Sequence, residues 1–296
     1  MLLFHPGTLG DMMILYPTLV ALKRDFGAQV FAVAGGGAPG LLHECGILEK
    51  IISIDSTSVS GLFTENPGLS NEFADFIRDF EIAGVFLGKS ADNLVKNLEH
   101  AGIRKVFRGS TRPPDGTKQN VYEHIAGCFG IPGLKPLNER LALNNSKLEQ
   151  AQKYLKSLGI SSRKGIAIHP GSGSKSKNWA PEKFGELIKG LARKNADFFI
   201  IEGPAEEGIA DKISRAAGIE GIKVARPSSV SDLAGVIALS RRYIGNDSGV
   251  THLAAALGVN TTAIFTITDP GIWARKAKNA LVLLNPSVDE VLSNLT

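Results

Sequence analysis

The segment Ile244–Asn260, IGNDSGVTHLAAALGVN, is the most informative stretch of this sequence. A short apolar strand runs into small polar residues and then into a helix. The apolar positions of that helix recur with the spacing of one helical face: Val250, Leu253, Ala254 and Leu257. Gly258 is suited to end the helix. A strand that empties into a helix N-terminus exposes backbone N–H groups and the positive end of the helix dipole, so this arrangement predicts a phosphate site.

Four residues of this segment are candidates for binding the anion. Asp247, Ser248 and Gly249 form the turn, and His252 follows one helical turn later. Taken alone, the segment is more typical of a simple helix cap followed by a buried histidine. A second segment of the same design, upstream in the chain, favours the phosphate site over the simple helix cap.

The second segment is Gly165–Phe184, GIAIHPGSGSKSKNWAPEKF. An apolar strand breaks into a run of glycine and serine that includes Ser172 and Gly173, and Lys177 follows shortly before the next helix. Small residues let the backbone approach an anion closely, hydroxyl groups donate to it, and lysines supply charge. The segment has no Walker A pattern, so a P-loop is excluded.

Composition restricts the class of protein. The chain has 296 residues, 43% of them hydrophobic, which is enough for one large or two medium cores. No apolar run approaches the roughly 18–20 residues of a membrane span, and the N-terminus does not resemble a signal peptide. The two cysteines, Cys45 and Cys128, lack C-x-x-C spacing, so we expect reduced thiols in a cytoplasmic protein. The sequence contains neither a metal-ligand cluster nor a D-x-D pair, and we expect no metal.

Charge is unevenly distributed along the chain. Residues 1–146 carry 13 Lys and Arg against 15 Asp and Glu, whereas residues 147–296 carry 20 against 14. The basic half contains both phosphate-like turns, which favours an anionic small ligand there. Basic runs are short and aromatic residues make up only 7% of the chain, so nucleic acid is not an expected partner.

Strand and helix patterns alternate through both halves. Such alternation predicts parallel sheets covered by helices on both faces, and therefore an α/β protein of two doubly wound domains, 1–146 and 147–296. Lys147–Leu158 is predicted to be the helix that joins them, and residues 56–70 are predicted to be an exposed loop. Ligands of doubly wound folds lie at the carboxyl ends of strands, so we expect the site in a cleft between the domains.

The first strand-to-helix loop holds one carboxylate, Asp11, in the stretch HPGTLGD. Its position at a strand end makes it a candidate general base. The alternative is an N-cap of the following helix, which Pro17 either kinks or shortens. Because the loop does not read G-x-G-x-x-G, a dinucleotide-dependent dehydrogenase is disfavoured.

Three segments together resemble glycosyltransferase family 9, the heptosyltransferases of lipopolysaccharide inner-core synthesis. They are GTLGDMMILYPTLVALK, HPGSGSKSKNWAPEKFGELI and IGNDSGVTHLAAALGV. The resemblance implies a GT-B fold, in which two Rossmann-like domains, an acceptor domain and a nucleotide-sugar domain, face a central cleft. It also implies inverting, metal-independent transfer from an ADP-heptose donor, with no other cofactor. The implied acceptor is a lipid-anchored oligosaccharide, with peripheral contact at the inner face of the cytoplasmic membrane.

The resemblance also assigns roles to residues. Asp11 matches the general base, and Lys177 matches the lysine that neutralises the leaving diphosphate. Further donor-binding positions correspond to Ser172, Gly173, Ser228, Asp247, Ser248, Gly249 and His252. Glu206 or Glu207 matches an acidic residue that binds the ribose hydroxyls, and the sequence does not decide between them.

The chain departs from the family pattern after the last of these segments. The family reads F-G-x-T-x-P where this chain reads FTITDP, so Thr266 stands in place of a glycine. Two other functions remain open on sequence alone: a sugar-nucleotide 2-epimerase with a GT-B-like fold, and a binding protein that keeps the nucleotide site without turnover.

Overall fold

The computed structural model describes residues 1–65 and 67–295, and the chain divides into two compact units, Met1–Glu139 and Arg140–Thr296. Each unit contains a single parallel β-sheet, as the alternating pattern predicts. In the first unit the sheet has the order β3-β2-β1-β4-β5. Its strands are β1 (Leu2–His5), β2 (Phe31–Ala34), β3 (Lys50–Ser53), β4 (Ile82–Val85) and β5 (Lys105–Arg108).

Helices lie on both faces of the first sheet. They are α1 (Leu9–Phe26), α2 (Ala38–Glu44), α3 (Thr57–Ser60), α4 (Asn71–Arg78), α5 (Asp92–His100) and α6 (Val121–Cys128), with short 3-10 segments at Gly61–Phe63 and Gly88–Ala91. Helix α1 packs against α2 and α6 on one face. On the other face, α4 and α5 share a core with Leu2 and Phe4 of the central strand. Because Leu2 and Phe4 alternate with Leu3 along β1, the central strand is buried from both sides.

Helix α1 runs without interruption through Pro17. It is capped at its N-terminus by Thr8, whose Oγ1 accepts a hydrogen bond from the Asp11 N–H at 3.3 Å. Asp11 therefore lies in the first turn of the helix, and the alternative interpretation, that Asp11 is itself the N-cap, is wrong. At the other end, Gly27 adopts a left-handed conformation (φ 63°), which favours glycine because it has no Cβ.

The expectation of an exposed loop over residues 56–70 is wrong for much of its length. Residues 57–63 form α3 and a 3-10 turn, and the side chains of Val59 and Leu62 are fully buried. Nδ2 of Asn97 on α5 donates to the carbonyl oxygens of Leu62 and Thr64, at 2.9 and 2.8 Å. These contacts hold the segment against α5. Asn66, within the same prediction, lies outside the described residues.

The sheet of the second unit has six strands in the order β11-β10-β9-β6-β7-β8. All neighbouring strands are parallel. They are β6 (Ile166–His169), β7 (Phe198–Ile201), β8 (Val224–Ala225), β9 (Arg242–Asn246), β10 (Asn260–Phe265) and β11 (Ala280–Leu284).

Helices also cover both faces of this second sheet. They are α7 (Asn145–Ser157), α8 (Pro181–Arg193), α9 (Ile209–Ala217), α10 (Val230–Ala238), α11 (Gly249–Ala256), α12 (Pro270–Trp273) and α13 (Val288–Ser293), with 3-10 turns at Lys175–Lys177 and Pro204–Glu206. Helix α8 packs against α9 and α13, whereas α10 packs against α7 and α11. Ile168, Ile200 and Ile244 project from the sheet into the core that α8 and α9 cover.

Residues just before α7 belong to the second unit. The backbone N–H of Leu141 donates to Ala256 O at 2.8 Å, and Nε of Arg140 donates to Leu257 O at 2.9 Å. These bonds attach the start of the unit to the end of α11. Among the described residues, no helix combines the length and the apolar character that a membrane span requires.

Candidate functional site

The two phosphate-like turns lie side by side in the second unit. β6 and β9 are neighbours, with His169 opposite Gly245, and the chain continues from them towards opposite edges of the sheet. This reversal is the topological switch point, where the two following turns separate and leave a crevice at the carboxyl ends of the strands. Both segments singled out in the sequence therefore meet at the place where an α/β sheet binds its ligands.

Asn246 joins the two turns. Its side chain is fully buried, its Nδ2 donates to Pro170 O at 2.6 Å, and its Oδ1 accepts from the backbone N–H of Trp179 at 2.9 Å. Both bonds cross from β9 to the loop after β6, so they set the distance between the loops. A buried amide with both ends satisfied stabilises one arrangement, since breaking either bond leaves a buried polar group unpaired.

At the centre of the site, the ammonium of Lys177 lies 3.0 Å from Oδ2 of Asp247. The Asp247 side chain is only 5% exposed and that of Lys177 is 31% exposed. Oδ2 also accepts a hydrogen bond from Thr268 Oγ1 at 2.7 Å. Oγ1 of Thr266 donates to the Lys177 carbonyl at 3.0 Å, so the segment after β10 touches both members of the ion pair.

The N-terminus of α11 adjoins Asp247. Ser248 caps the helix, its Oγ accepting from the Thr251 N–H at 3.3 Å. The backbone N–H groups of Gly249 and Val250, in the first turn, meet no acceptor among the described residues. They are available for an anionic oxygen.

His252 is buried behind the carboxylate, its Nε2 4.0 Å from Asp247 Oδ1. Burial lowers the pKa of His252 to about 4, and the nearby positive charges of Arg275 and Lys177 act in the same direction, while Asp247 opposes them. The imidazole is therefore neutral at neutral pH. Arg275, itself only 5% exposed, lines a narrow cavity together with Asp247 and His252.

The Gly/Ser turn is partly ordered by its own side chains. Oγ of Ser172 lies 2.6 Å from both Ser174 O and Asn178 Oδ1. Gly173 is exposed, and a Cβ added there would meet nothing within 4 Å. The turn thus leaves open space above Gly173 for a ligand.

Glu206 and Glu207, which the sequence does not distinguish, have different surroundings in the structure. Glu206 lies over the turn after β6, because Gly171 has no side chain: a Cβ there would come within 2.2 Å of Glu206 Cγ. Oε2 of Glu206 accepts from the Gly203 N–H at 3.1 Å, and Oε1 lies 3.9 Å from His169 Nε2. Burial raises the pKa of Glu206. Glu207 is exposed.

Ser228 lies beyond β8, exposed, and its Oγ donates to Asp232 Oδ2 at 2.7 Å. The hydrogen bond from Ser228 is the largest of the effects that lower the pKa of Asp232. The Lys147 ammonium pairs with the same carboxylate at 3.3 Å. Ser228 is thus held at the start of α10.

Asp11 lies in the first unit, after β1, where the order β2-β1-β4 makes a second switch point. Thr8 Oγ1 donates to its Oδ2 at 2.8 Å. The side chain is partly exposed, so its carboxylate can contact a ligand.

Sequence reasoning missed four polar residues: Asn246, Thr266, Thr268 and Arg275. Asn246 precedes the turn directly, and a polar residue at the end of an apolar strand is a usable signal. Thr266 and Thr268 lie in the stretch FTITDP, where the comparison with the family pattern was a usable signal. Arg275 carries no local signal, because its neighbours in the site lie elsewhere in the chain. The described residues contain no group of three or more His, Cys, Asp or Glu side chains arranged to hold a metal ion.

The chain is similar to several known proteins. Residues 121–291 match the model of glycosyltransferase family 9 (heptosyltransferase). Lipopolysaccharide heptosyltransferase 1 of Escherichia coli O18:K1:H7 is 32% identical over 121 residues, which are 40% of this chain and only 36% of that relative's length.

Solved structures extend the similarity to the whole fold. A family 9 glycosyltransferase from Veillonella parvula has a TM-score of 0.77 at 17% identity, covering 99% of this chain and 88% of that one. E. coli heptosyltransferase WaaC with ADP has a TM-score of 0.70 at 18% identity, with coverages of 99% and 98%. The expected GT-B fold is confirmed. Since the family model matches more than half of the residues, this chain belongs to glycosyltransferase family 9.

Proposed function

We propose that this protein is an inverting, metal-independent glycosyltransferase that moves heptose, or a related sugar, from an ADP-sugar to a lipopolysaccharide core-type acceptor. Residues 147–296, which make up most of the second unit, are the proposed nucleotide-sugar domain, and residues 1–146, which include the whole first unit, are the proposed acceptor domain. The observation that carries the proposal is the Lys177–Asp247 pair, 3.0 Å apart at the switch point of the second sheet.

The ammonium of Lys177 and the carboxylate of Asp247 suit the two parts of a nucleotide-sugar, the diphosphate and the sugar. A lysine beside a helix N-terminus suits a diphosphate, and a buried carboxylate suits the hydroxyl groups of a sugar. The solved relative with bound ADP supports an adenine nucleotide as the donor. In this chain we assign the diphosphate to Lys177, Ser172, Gly173, the N-cap residue Ser248 and the first N–H groups of α11, at Gly249 and Val250.

The proposed chemistry is a single displacement. Asp11 removes the proton of the attacking acceptor hydroxyl, whose oxygen forms a bond to the anomeric carbon from the face opposite the diphosphate. The bond from that carbon to the diphosphate oxygen breaks, and ADP leaves with the electron pair. Lys177 neutralises the charge that develops on the leaving group, a role that metal ions play in other transferases.

The remaining residues bind the ends of the donor. Glu206 is the proposed ribose ligand, because it lies on the glycine turn whereas Glu207 is exposed. Ser228 is the proposed neighbour of the base. Asp247 binds the sugar, and neutral His252 lies beside it. The proposed acceptor is a lipid-anchored oligosaccharide, so the protein would work in the cytoplasm and contact the inner face of the membrane.

A thermal-shift panel of ADP-, UDP-, GDP- and CMP-sugars tests the donor. A ligand at 100 times its Kd stabilises the folded state by about 2.7 kcal/mol, so a selective increase in melting temperature with ADP-sugars is the expected result. Lys177→Met should abolish most of that increase, and Lys175→Met, at an exposed lysine of the same turn, should keep it. Preference for UDP-sugars would contradict the donor assignment.

Product analysis separates the proposed transferase from the two other functions. A transferase consumes the ADP-sugar only when acceptor is added and forms a glycoside of inverted configuration, with an undiminished rate in excess chelator. A 2-epimerase converts the donor without an acceptor, and a binding protein leaves it unchanged. Family membership favours the first outcome.

A further inference from the structure

Residues 266–268, between β10 and α12, lie against the proposed donor site. Oγ1 of Thr268 donates to Asp247 Oδ2 at 2.7 Å, and the Lys177 ammonium lies 3.0 Å from the same oxygen. Two donors therefore converge on Oδ2. No described residue donates a hydrogen bond to Oδ1, which lies 4.0 Å from His252 Nε2, beyond hydrogen-bond distance.

Binding of a diphosphate would affect these two hydrogen-bond donors, Lys177 and Thr268, differently. The ammonium of Lys177 is mobile on its long side chain and is attracted by a diphosphate. The hydroxyl of Thr268 is held close to its own backbone, and Thr is restricted at χ1. When Lys177 turns to the diphosphate, Thr268 still donates to Oδ2. A carboxylate with one oxygen held in this way keeps its plane, so its other oxygen keeps its direction.

We propose that Thr268 is a positioning residue for the donor sugar: its hydroxyl holds Oδ2 of Asp247, so that Oδ1 accepts a hydrogen bond from a sugar hydroxyl. The inference rests on the proposed function, and it assigns the discrimination between an ADP-sugar and ADP alone to the Thr268–Asp247 pair. Thr266 supports the same geometry from the other side, because its hydroxyl holds the Lys177 carbonyl at 3.0 Å.

Calorimetric titration of ADP-heptose and of ADP tests the role of Thr268. Thr268→Val removes the hydroxyl and keeps the shape, and it should weaken ADP-heptose binding about tenfold while ADP binding changes less than about threefold. Thr268→Ser keeps the hydroxyl and should bind both ligands within about threefold of the wild type. The matched control is Thr262→Val: Thr262 is buried in β10, and its hydroxyl has no partner among the described residues.

Three outcomes would overturn the role of Thr268 while leaving the proposed function intact. In the first, Thr268→Val binds ADP-heptose as well as the control Thr262→Val does. In the second, Thr268→Val weakens the binding of ADP and of ADP-heptose equally. In the third, Thr268→Ser binds ADP-heptose as weakly as Thr268→Val. Equal weakening would mean that the residue acts on the fold or on the phosphates. If the wild-type protein itself binds neither ligand, both the proposed function and this inference fail.

Discussion

Asp247 illustrates how side chains acquire a role from distant partners. Lys177 precedes it by 70 residues and Thr268 follows it by 21, yet both lie within 3.0 Å of the same carboxylate oxygen. Local sequence predicted that Asp247 and Lys177 bind the ligand, since each follows a strand in a turn of small residues. It could not predict that they pair, because the pairing depends on β6 and β9 being neighbours in the sheet.

Asp11 is the residue whose change should separate chemistry from binding. Asp11→Asn removes the proposed base but can still accept the Thr8 hydroxyl, so the start of α1 should remain intact. Turnover should fall by roughly 10²- to 10⁴-fold, the range for general base catalysis, while the Kd for ADP-heptose stays within about threefold. Initial rates and calorimetry measure the two effects.

The control for this variant is Asp25→Asn, an exposed carboxylate near the other end of α1 that pairs with Arg24. It should leave both rate and affinity unchanged. Full activity of the Asp11→Asn protein would refute the assignment of the base.

Among the structural elements, the turn after β6 and the 3-10 turn after β7 fit together through a glycine. A Cβ on Gly171 would overlap the Glu206 side chain, so Gly171→Ala should displace that carboxylate. If Glu206 binds the ribose, the variant should lose about tenfold in ADP affinity, in line with one hydrogen bond to a charged group. Titration with ADP measures the loss.

A double-mutant cycle makes that prediction specific. In a Glu206→Ala background, Gly171→Ala should cost little further affinity, because the side chain it displaces is already gone. Gly127→Ala, at a helix position with nothing within 4 Å, is the matched glycine control. Additive losses in the cycle would show that Gly171 acts independently of Glu206.

The short α3 and 3-10 segment depends on one amide of α5. Asn97→Asp replaces the side-chain amide NH2 group, which donates to two carbonyl oxygens, with a carboxylate oxygen, which can only accept. The side chain at this position is buried. Losing two hydrogen bonds should lower the free energy of unfolding of the first unit by about 2–4 kcal/mol. Urea denaturation measures this change. Asn71→Asp, the same substitution at an exposed helix position, should have little effect, and equal stability of the two variants would contradict the prediction.

For the whole molecule, three buried histidines link stability to pH. Burial lowers the pKa values of His5, His169 and His252 to about 4, whereas an unfolded histidine has a pKa near 6.5. Below pH 6.5 the unfolded chain therefore binds protons that the folded protein does not, and stability falls as the pH falls towards 4. Each histidine can remove up to about 2 kcal/mol by pH 5.

Urea denaturation midpoints at pH 7 and pH 5 test this link. We expect a clear decrease for the wild type and a smaller one for His169→Gln, which lacks one of the buried groups. His100→Gln, at an exposed histidine, should show the wild-type decrease. A midpoint that does not change between pH 7 and pH 5 would exclude the mechanism.

Local sequence patterns were sufficient to predict the class of fold and to single out most of the turns proposed to bind the ligand. Hydrophobic spacing is a local property, so each long strand and helix is visible in its own residues, and so is a turn such as 245–249. The 57–63 segment was not visible, because elements of three or four residues have no periodicity and are stabilised by Asn97 from another helix. Four features became visible only in the folded protein: strand order, the Lys177–Asp247 pair, the different burial of Glu206 and Glu207, and the contacts of Thr266 and Thr268. Each of these depends on which distant segments become neighbours, and that is fixed by burial of the sheet as a whole.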